Sequence, residues 1–228
     1  MAKLPARRLT PTSSAFRKDH PMTLFPAFLK LENRLVIVIG GGSIAMQKIP
    51  SLLEAGARVR VISPKLHPHL AEYVRRREID WHPKPFSPDD LEGAVLVIAA
   101  TSIRELNASV FAEAERRNIL CNSVDDIDHC HFYYGSVVQR GDLQIAISTN
   151  GKSPALAQRL RRELERQFGP EYAAWLEWLG AARDLLRAQS SGSDAETTKR
   201  WLHLLASQPS FEEFLKHSRS ASDTEGVS

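Results

Sequence analysis

The sequence predicts an α/β protein: a doubly wound parallel sheet, then a small α+β segment, then a helical C-terminal domain. Three observations carry this. Five short apolar runs alternate with amphipathic stretches between Leu24 and Asn122. A triple-glycine turn directly follows the first run. After Asp126 the pattern changes, first to two strands around a tight turn and then to apolar residues at helical spacing.

The five runs are "RLVIVIG", "ARVRVIS", "EIDWHP", "AVLVIAA" and "NILCNSV". They are apolar on consecutive residues, as strands covered on both faces require. The stretches between them, Ala45–Ala55, Leu66–Arg76, a short "SPDDLEG" turn and Glu105–Arg117, read as crossover connections, mostly helical. Strands alternating with helices imply βαβ units, and right-handed crossovers then wind the sheet on both sides. "HFYYGSVVQRGDLQIAISTNG" reads as an antiparallel pair around "RGD". "SPALAQRLRRELERQF" opens a helix with Ser153 as N-cap and Pro154 at the first helical position. A second helix is expected over Glu171–Ala188, with Trp175 and Trp178 as packing residues rather than a base-stacking surface. Shorter helices follow at Arg200–Ser207 and Phe211–His217. The expected organisation is a disordered leader (1–22), a nucleotide-binding domain (23–125), a connecting α+β segment (126–152), a helical domain (153–217) and a disordered tail (218–228).

The chain has 228 residues, 43% hydrophobic and 25% charged, the balance of a globular protein with a substantial core. Its net charge of +3 comes from the leader, where Lys3, Arg7, Arg8, Arg17 and Lys18 face only Asp19. The remainder is close to neutral, so no nucleic-acid partner is expected. The leader lacks a signal-peptide apolar run, and Met22 is an alternative start. No stretch has the ~18 apolar residues a membrane span needs. Cys121 and Cys130 are the two cysteines, too few for a disulfide framework, which fits a reducing cytoplasm.

Gly40-Gly41-Gly42-Ser43-Ile44-Ala45 matches G-x-G-x-x-A, the fingerprint of Rossmann-type dinucleotide binding. Gly40 permits the tight turn, Gly42 lets a pyrophosphate approach the backbone, and Ala45 lets helix and strand pack closely. The helix starting near Ser43 offers unpaired N–H groups and the positive end of its dipole. The competing reading is a purely structural turn. The second strand ends in Ser63, Pro64 and Lys65, without the usual acid for the ribose hydroxyls. Residue chemistry therefore leaves NAD and NADP both open.

Ligands of such sheets lie beyond the carboxyl ends of the strands. That singles out Ala99–Ser102, with Thr101 toward the cofactor, and Asn122–Asp126. A carboxylate there could take a proton while hydride leaves. The alternative for Asp125 or Asp126 is a turn cap. In "IDHCHFYY", His129, Cys130 and His131 are ligand types, but neighbours on a strand point to opposite faces, so no metal site is assigned. A transient iron contact by His129 or His131 stays open. "STNGKSP", with Ser148, Thr149, Gly151, Lys152 and Ser153, suits carboxylates or phosphates.

The segments "LFPAFLKLENRLVIVIGGGSIAMQKIPSLLEAGARVRVISP", "VLVIAATSIRELN", "CNSVDD" and "IAISTNGKSPALAQRLRRELE", in this order, resemble the precorrin-2 dehydrogenase and sirohydrochlorin ferrochelatase family, which also forms the N-terminal module of siroheme synthase. The resemblance implies an NAD-binding Rossmann domain, a central dimerisation segment and a helical domain in a homodimer. It implies oxidation of precorrin-2 to sirohydrochlorin with NAD, and in some members insertion of Fe2+. It assigns the essential aspartate to Asp125 in Asn122-Ser123-Val124-Asp125, and cofactor contacts to Ser43, Ile44, Pro64 and Lys65. It removes the objection of the missing acid. The eight carboxylates of the substrate would give Asn122, the "STNGKSP" loop and Lys152 a purpose. The chain departs from the family pattern at Gly135, at "DHCH" and at Thr149-Asn150, all beside the expected tetrapyrrole site. No room is left for a methyltransferase domain, so precorrin-2 is expected from another enzyme. The alternatives are a non-catalytic NAD(H)-sensing module and an oxidoreductase for another acidic substrate.

Overall fold

The computed structural model describes residues 24–189 and 195–225. The expected disordered leader, 1–22, lies outside the described residues, as do 190–194 and 226–228.

Five parallel strands form the central sheet: β1 (Leu35–Ile39), β2 (Arg58–Ile62), β3 (Ile79–His82), β4 (Leu96–Ala99) and β5 (Leu120–Ser123). Their order is β3-β2-β1-β4-β5. The chain reverses its direction of winding between β1 and β4, which leaves a crevice at their carboxyl ends. The first helix, α1 (Ser43–Glu54), joins β1 to β2; α2 (Pro68–Arg75) joins β2 to β3; a 3-10 turn (Pro88–Leu91) precedes β4; and α3 (Arg104–Arg117) precedes β5.

Alternation along β1 shows why the runs are continuously apolar. Val36 and Val38 pack with Ala45, Ile49 and Leu52 of α1 and Leu70 of α2. Ile37 and Ile39 pack on the opposite face with Leu91, Val110 and Ala114. Each of these β1 residues therefore meets a hydrophobic layer whichever way it points, at about 1.5–3 kcal/mol per large side chain buried.

Beyond β5 a second 3-10 turn (Ile127–His129) leads to the antiparallel hairpin β6 (Ser136–Arg140) and β7 (Leu143–Ile147). Gly141 supplies the left-handed turn residue, with φ +56°. Helix α4 (Pro154–Gln167) begins as expected: the Ser153 hydroxyl accepts from Leu156 N–H at 3.2 Å, and Pro154 sits in the first turn. Helix α5 (Glu171–Gln189) also packs on the hairpin. Its Trp175 meets Phe211 at 4.6 Å, and Trp178 faces Phe214, so both tryptophans are packing residues.

Two C-terminal helices differ from their expected limits: the first begins earlier and ends two residues sooner, and the second extends past both ends. Helix α6 spans Ala195–Leu205 and α7 spans Gln208–Glu225. The tail expected to be disordered from 218 thus continues α7 as far as Glu225. Once packing at Phe211 and Phe214 has nucleated a helix, extension adds one hydrogen bond per residue without a new nucleus, even through serines.

Candidate functional site

The carboxyl ends of β1, β2 and β4 enclose a cleft of about 750 Å³. Its floor is the glycine turn, and each glycine meets a different demand. Gly40 has φ +108°, and a Cβ there would stand 2.5 Å from the Ala100 carbonyl oxygen. Glycine thus lets the end of β1 pass the end of β4. A Cβ on Gly41 would stand 2.4 Å from the Lys65 carbonyl oxygen, and the Gly41 carbonyl accepts from His67 N–H at 2.7 Å. This clamps the turn to the loop after β2. Around Gly42 a Cβ would meet nothing within 4 Å. That space opens on the start of α1, which has no side-chain cap and whose first helical bond runs from Met46 N–H to the Gly42 carbonyl. An uncapped helix start facing open space is the geometry that receives a phosphate.

The other walls carry the remaining expected cofactor residues. Ser43, Ile44, Pro64, Lys65 and Thr101 line the cleft, and Ala45 is fully buried beneath it. No carboxylate lines it among the described residues. Thr101 is held by buried Asn107. The Thr101 hydroxyl donates to Asn107 Oδ1 at 2.6 Å, and Asn107 Nδ2 donates to the Thr101 carbonyl at 3.0 Å. Asn107 lay within a quoted segment, but its role as the brace of this wall was not read from the sequence.

A second cleft, of about 580 Å³, opens beyond β5. Asp125 lines it from an exposed turn, with φ +59°. Asp126 also lines it, but its carboxylate is engaged: His129 Nδ1 lies 2.8 Å away and Arg104 Nε 3.5 Å away. The hydrogen bond from His129 is the main cause holding Asp126 below the usual carboxylate range. Asn122, Ser148, Thr149 and Gly151 reach the same cleft. Asn122 is braced as well, donating to the Phe132 carbonyl at 2.9 Å.

Two expected residues do not reach it. Ser153 is spent on capping α4, and Lys152 is exposed outside the lining, its backbone N–H closing a turn onto the Thr149 carbonyl at 3.0 Å. The left-handed conformations of Asn150 and Gly151 curl the loop so that its hydroxyl end, not its amine, faces inward.

The cation in the cleft comes instead from α1. Lys48 Nζ stands 3.8 Å from the centre of the Tyr134 ring. Desolvation lowers the Lys48 pKa, and the negative charge of Asp125 opposes that shift. Burial pushes the Tyr134 phenol up to about 12. Lys48 was missed because a lysine in an amphipathic helix reads as solvated. The available signal was that it is the only cation in α1.

The "DHCH" segment holds β5 in place. His131 Nδ1 accepts from Cys121 N–H at 2.9 Å, which puts its proton on Nε2, 2.5 Å from Glu115. The Cys130 thiol accepts from Ser123 N–H and lies 3.1 Å from the Ser123 carbonyl. Among the described residues no group of three or more His, Cys, Asp or Glu side chains is arranged to hold a metal.

The sheet order, the glycine turn and the open space at Gly42 together define a Rossmann-type dinucleotide-binding protein. A family model described as "Putative NAD(P)-binding" matches residues 27–136, and one described as "Sirohaem biosynthesis protein central" matches 140–167. A siroheme synthase from Photorhabdus laumondii is 44% identical over 144 residues, covering 63% of this chain and 31% of that protein. Siroheme synthase 3 of Aeromonas hydrophila is 38% identical over 184 residues, covering 81% of this chain and 39% of that protein. The chain thus spans roughly a third of the length of these curated relatives. Among solved structures, that of SirC, a precorrin-2 dehydrogenase, superposes with a TM-score of 0.70 at 23% identity, over 86% of this chain and 100% of that one, and so shares its fold. The chain belongs to the sirohaem-biosynthesis family that these two models describe, and shares that part with the siroheme synthases.

Proposed function

We propose that the protein oxidises precorrin-2 to sirohydrochlorin, with NAD+ as the acceptor. The observation that carries this reading is the pairing of two clefts: one with an uncapped helix start facing open space, the other with the carboxylate of Asp125 at its wall. Backbone N–H groups from Ser43 to Ala45 bind the pyrophosphate, which Gly40 and Gly42 allow to come close. Pro64 and Lys65 flank the adenosine end, and Thr101, fixed by Asn107, borders the nicotinamide end. NAD+ supplies the hydride acceptor. Asp125 takes the proton that the substrate loses as its hydride departs, so precorrin-2 gives up one hydride and one proton, and the products are sirohydrochlorin, NADH and H+. Ser148, Thr149, Gly151 and Asn122 border the macrocycle. Lys152 and Ser153 have no part in this site.

The protein acts as a homodimer in this reading, with hairpin β6–β7 at the interface; Val137 on β6 is 42% exposed. Insertion of Fe2+ into the product is a separate step that Asp125 would serve by taking the two pyrrole N–H protons one after the other and passing each to water. A cytoplasmic setting fits the two free thiols. No described helix is long and apolar enough to cross a membrane.

The test is anaerobic precorrin-2 with NAD+, followed by NADH absorbance, for wild type and Asp125→Asn. Asparagine tolerates the positive φ at this position, so the variant removes the acid–base group and little else. Turnover should fall by about 10²-fold or more while NADH affinity is kept. Undiminished turnover removes Asp125 from the mechanism. Wild type that binds NADH but leaves precorrin-2 unchanged supports the sensing module instead.

A further inference from the structure

Lys48 belongs to no motif that the proposed chemistry used, yet it is the one cation lining the Asp125 cleft among the described residues. Its position is fixed rather than trailing in solvent. It is partly buried, and its ammonium rests on the Tyr134 ring at 3.8 Å. Its hydrogen-bonding capacity is unmet: no protein carboxylate lies within 4.0 Å of Nζ among the described residues, and Asp125 acts on it only through space. Three donors held at the wall of a cleft, partly stripped of water and without a protein acceptor, are disposed to receive an anion that arrives with the ligand. Serine and threonine hydroxyls from Ser148 and Thr149 border the same space.

We infer that Lys48 is a substrate-anchoring residue, whose ammonium takes a carboxylate of the polycarboxylate macrocycle next to Asp125. This rests on the dehydrogenase reading above and gives it a binding group that the exposed Lys152 does not provide. The location has a second consequence. Lys48 lies five residues beyond Ser43, ~7.5 Å along the axis of α1 from the proposed pyrophosphate site. One rigid helix then sets the spacing between cofactor and macrocycle.

The test uses two ligands, so that anchoring is measured apart from turnover. An octacarboxylate porphyrin is titrated by fluorescence against wild type, Lys48→Met, Lys48→Arg and Lys152→Met, all at one ionic strength, with NADH affinity and circular dichroism as checks on the fold. Kinetics with precorrin-2 and NAD+ run in parallel. Lys48→Met should weaken porphyrin binding by about tenfold or more and raise KM, with NADH affinity unchanged. Lys48→Arg should recover part of the loss, and Lys152→Met, which removes the same charge, should change binding less than about twofold. Equal porphyrin affinity in wild type and Lys48→Met overturns the inference, as does a fall in kcat alone, which would make Lys48 only a counter-ion to Asp125. Absence of porphyrin binding by wild type overturns it too. Wild type that binds the porphyrin through Lys48 but leaves precorrin-2 unchanged instead overturns the dehydrogenase reading and leaves the anchor standing.

Discussion

Replacing Gly42 by alanine separates cofactor binding from folding more cleanly than any other change in the turn. The backbone at Gly42 has φ −89° and ψ −163°, an extended conformation open to any residue. The added methyl group meets no protein atom within 4 Å. Two small stability effects oppose each other. Alanine is a poorer N-cap than glycine by several tenths of a kcal/mol to about 1 kcal/mol. It also restricts the unfolded chain, which recovers about 0.4–1 kcal/mol. The net change in stability should be within about 0.5 kcal/mol. The methyl group nevertheless occupies the space in front of the α1 N–H groups. Loss of one charge-assisted hydrogen bond of about 1.5–3 kcal/mol weakens binding at least tenfold.

Thermal melts with and without NAD report both quantities. At 100 times the wild-type Kd, ligand stabilises wild type by about 2.7 kcal/mol; after a tenfold loss the same concentration gives about 1.4 kcal/mol. For a chain of this size the ligand-induced shift in Tm should shrink by roughly 3–5 °C. Gly40→Ala is the contrasting change. It combines a positive φ with a clash against backbone, so left-handed strain of about 1–2 kcal/mol adds to overpacking of about 1–3 kcal/mol. It should lower Tm without ligand. A Gly42→Ala variant that binds NAD as tightly as wild type, or that loses as much stability as Gly40→Ala, would show that the space at Gly42 does not receive the cofactor.

Two further predictions concern the braces. Asp126 is held below its ordinary pKa of 3.8, first by the hydrogen bond from His129 and also by Arg104. The unfolded chain therefore binds the proton more readily, so this contribution is fully present above the ordinary value and is lost as pH falls through the lowered one; Asp126→Asn should flatten the acid limb of a stability profile measured by denaturant melts, and an unaltered limb counts against the pairing. Asn107 is 4% exposed and satisfies both the carbonyl and the hydroxyl of Thr101. Asn107→Ala leaves the Thr101 carbonyl without its partner, while the hydroxyl keeps its bonds to the Ile103 backbone, and should cost about 1–3 kcal/mol, with weaker NADH binding; no loss of stability would show that the wall stands without it.

Legibility in the sequence followed the range of the interactions. The central strands β1 and β4 could be read because both faces of each are covered, which leaves an unbroken apolar run, and the β-branched residues of β2 marked it despite Arg58 and Arg60. The α4 start could be read because capping is a local event confined to Ser153 and Pro154. Gly42 fell into place for the same reason, and so did the positive φ of Gly40, although the Ala100 carbonyl that also demands glycine there is distant in sequence. Gly41 did not: its need for glycine arises from the Lys65 carbonyl, a contact between two loops distant in sequence. The segment around His131 was opaque for a like reason, since its partners are the backbone of Cys121 and the side chain of Glu115. Lys48 and Lys152 lie where the sequence does not suggest: the first lines the Asp125 cleft and the second is exposed outside its lining. In sequence, a lysine in a polar loop looks available and a lysine in a helix looks solvated. The fold reverses both, because the left-handed pair Asn150-Gly151 turns one outward and the docking of α1 against the sheet carries the other into a cleft.

The placement of α1 ties these observations together. Its N-terminus faces one cleft and Lys48 faces the other, while Ile49 and Leu52 are buried against the sheet between them. With that face packed against β1, β2 and β4, the helix cannot slide without opening the core. The Gly41 carbonyl, bonded to His67 N–H, further fixes where the helix begins. A two-ligand reaction of the proposed kind needs its hydride donor and acceptor held at a set separation, and error of about an ångström is costly. Here the separation is set by a packed helix rather than by loops. Substitutions that shift α1, such as those at Gly40 or Ile49, should therefore disturb both clefts together, whereas changes at Gly42 or Lys48 should disturb one each.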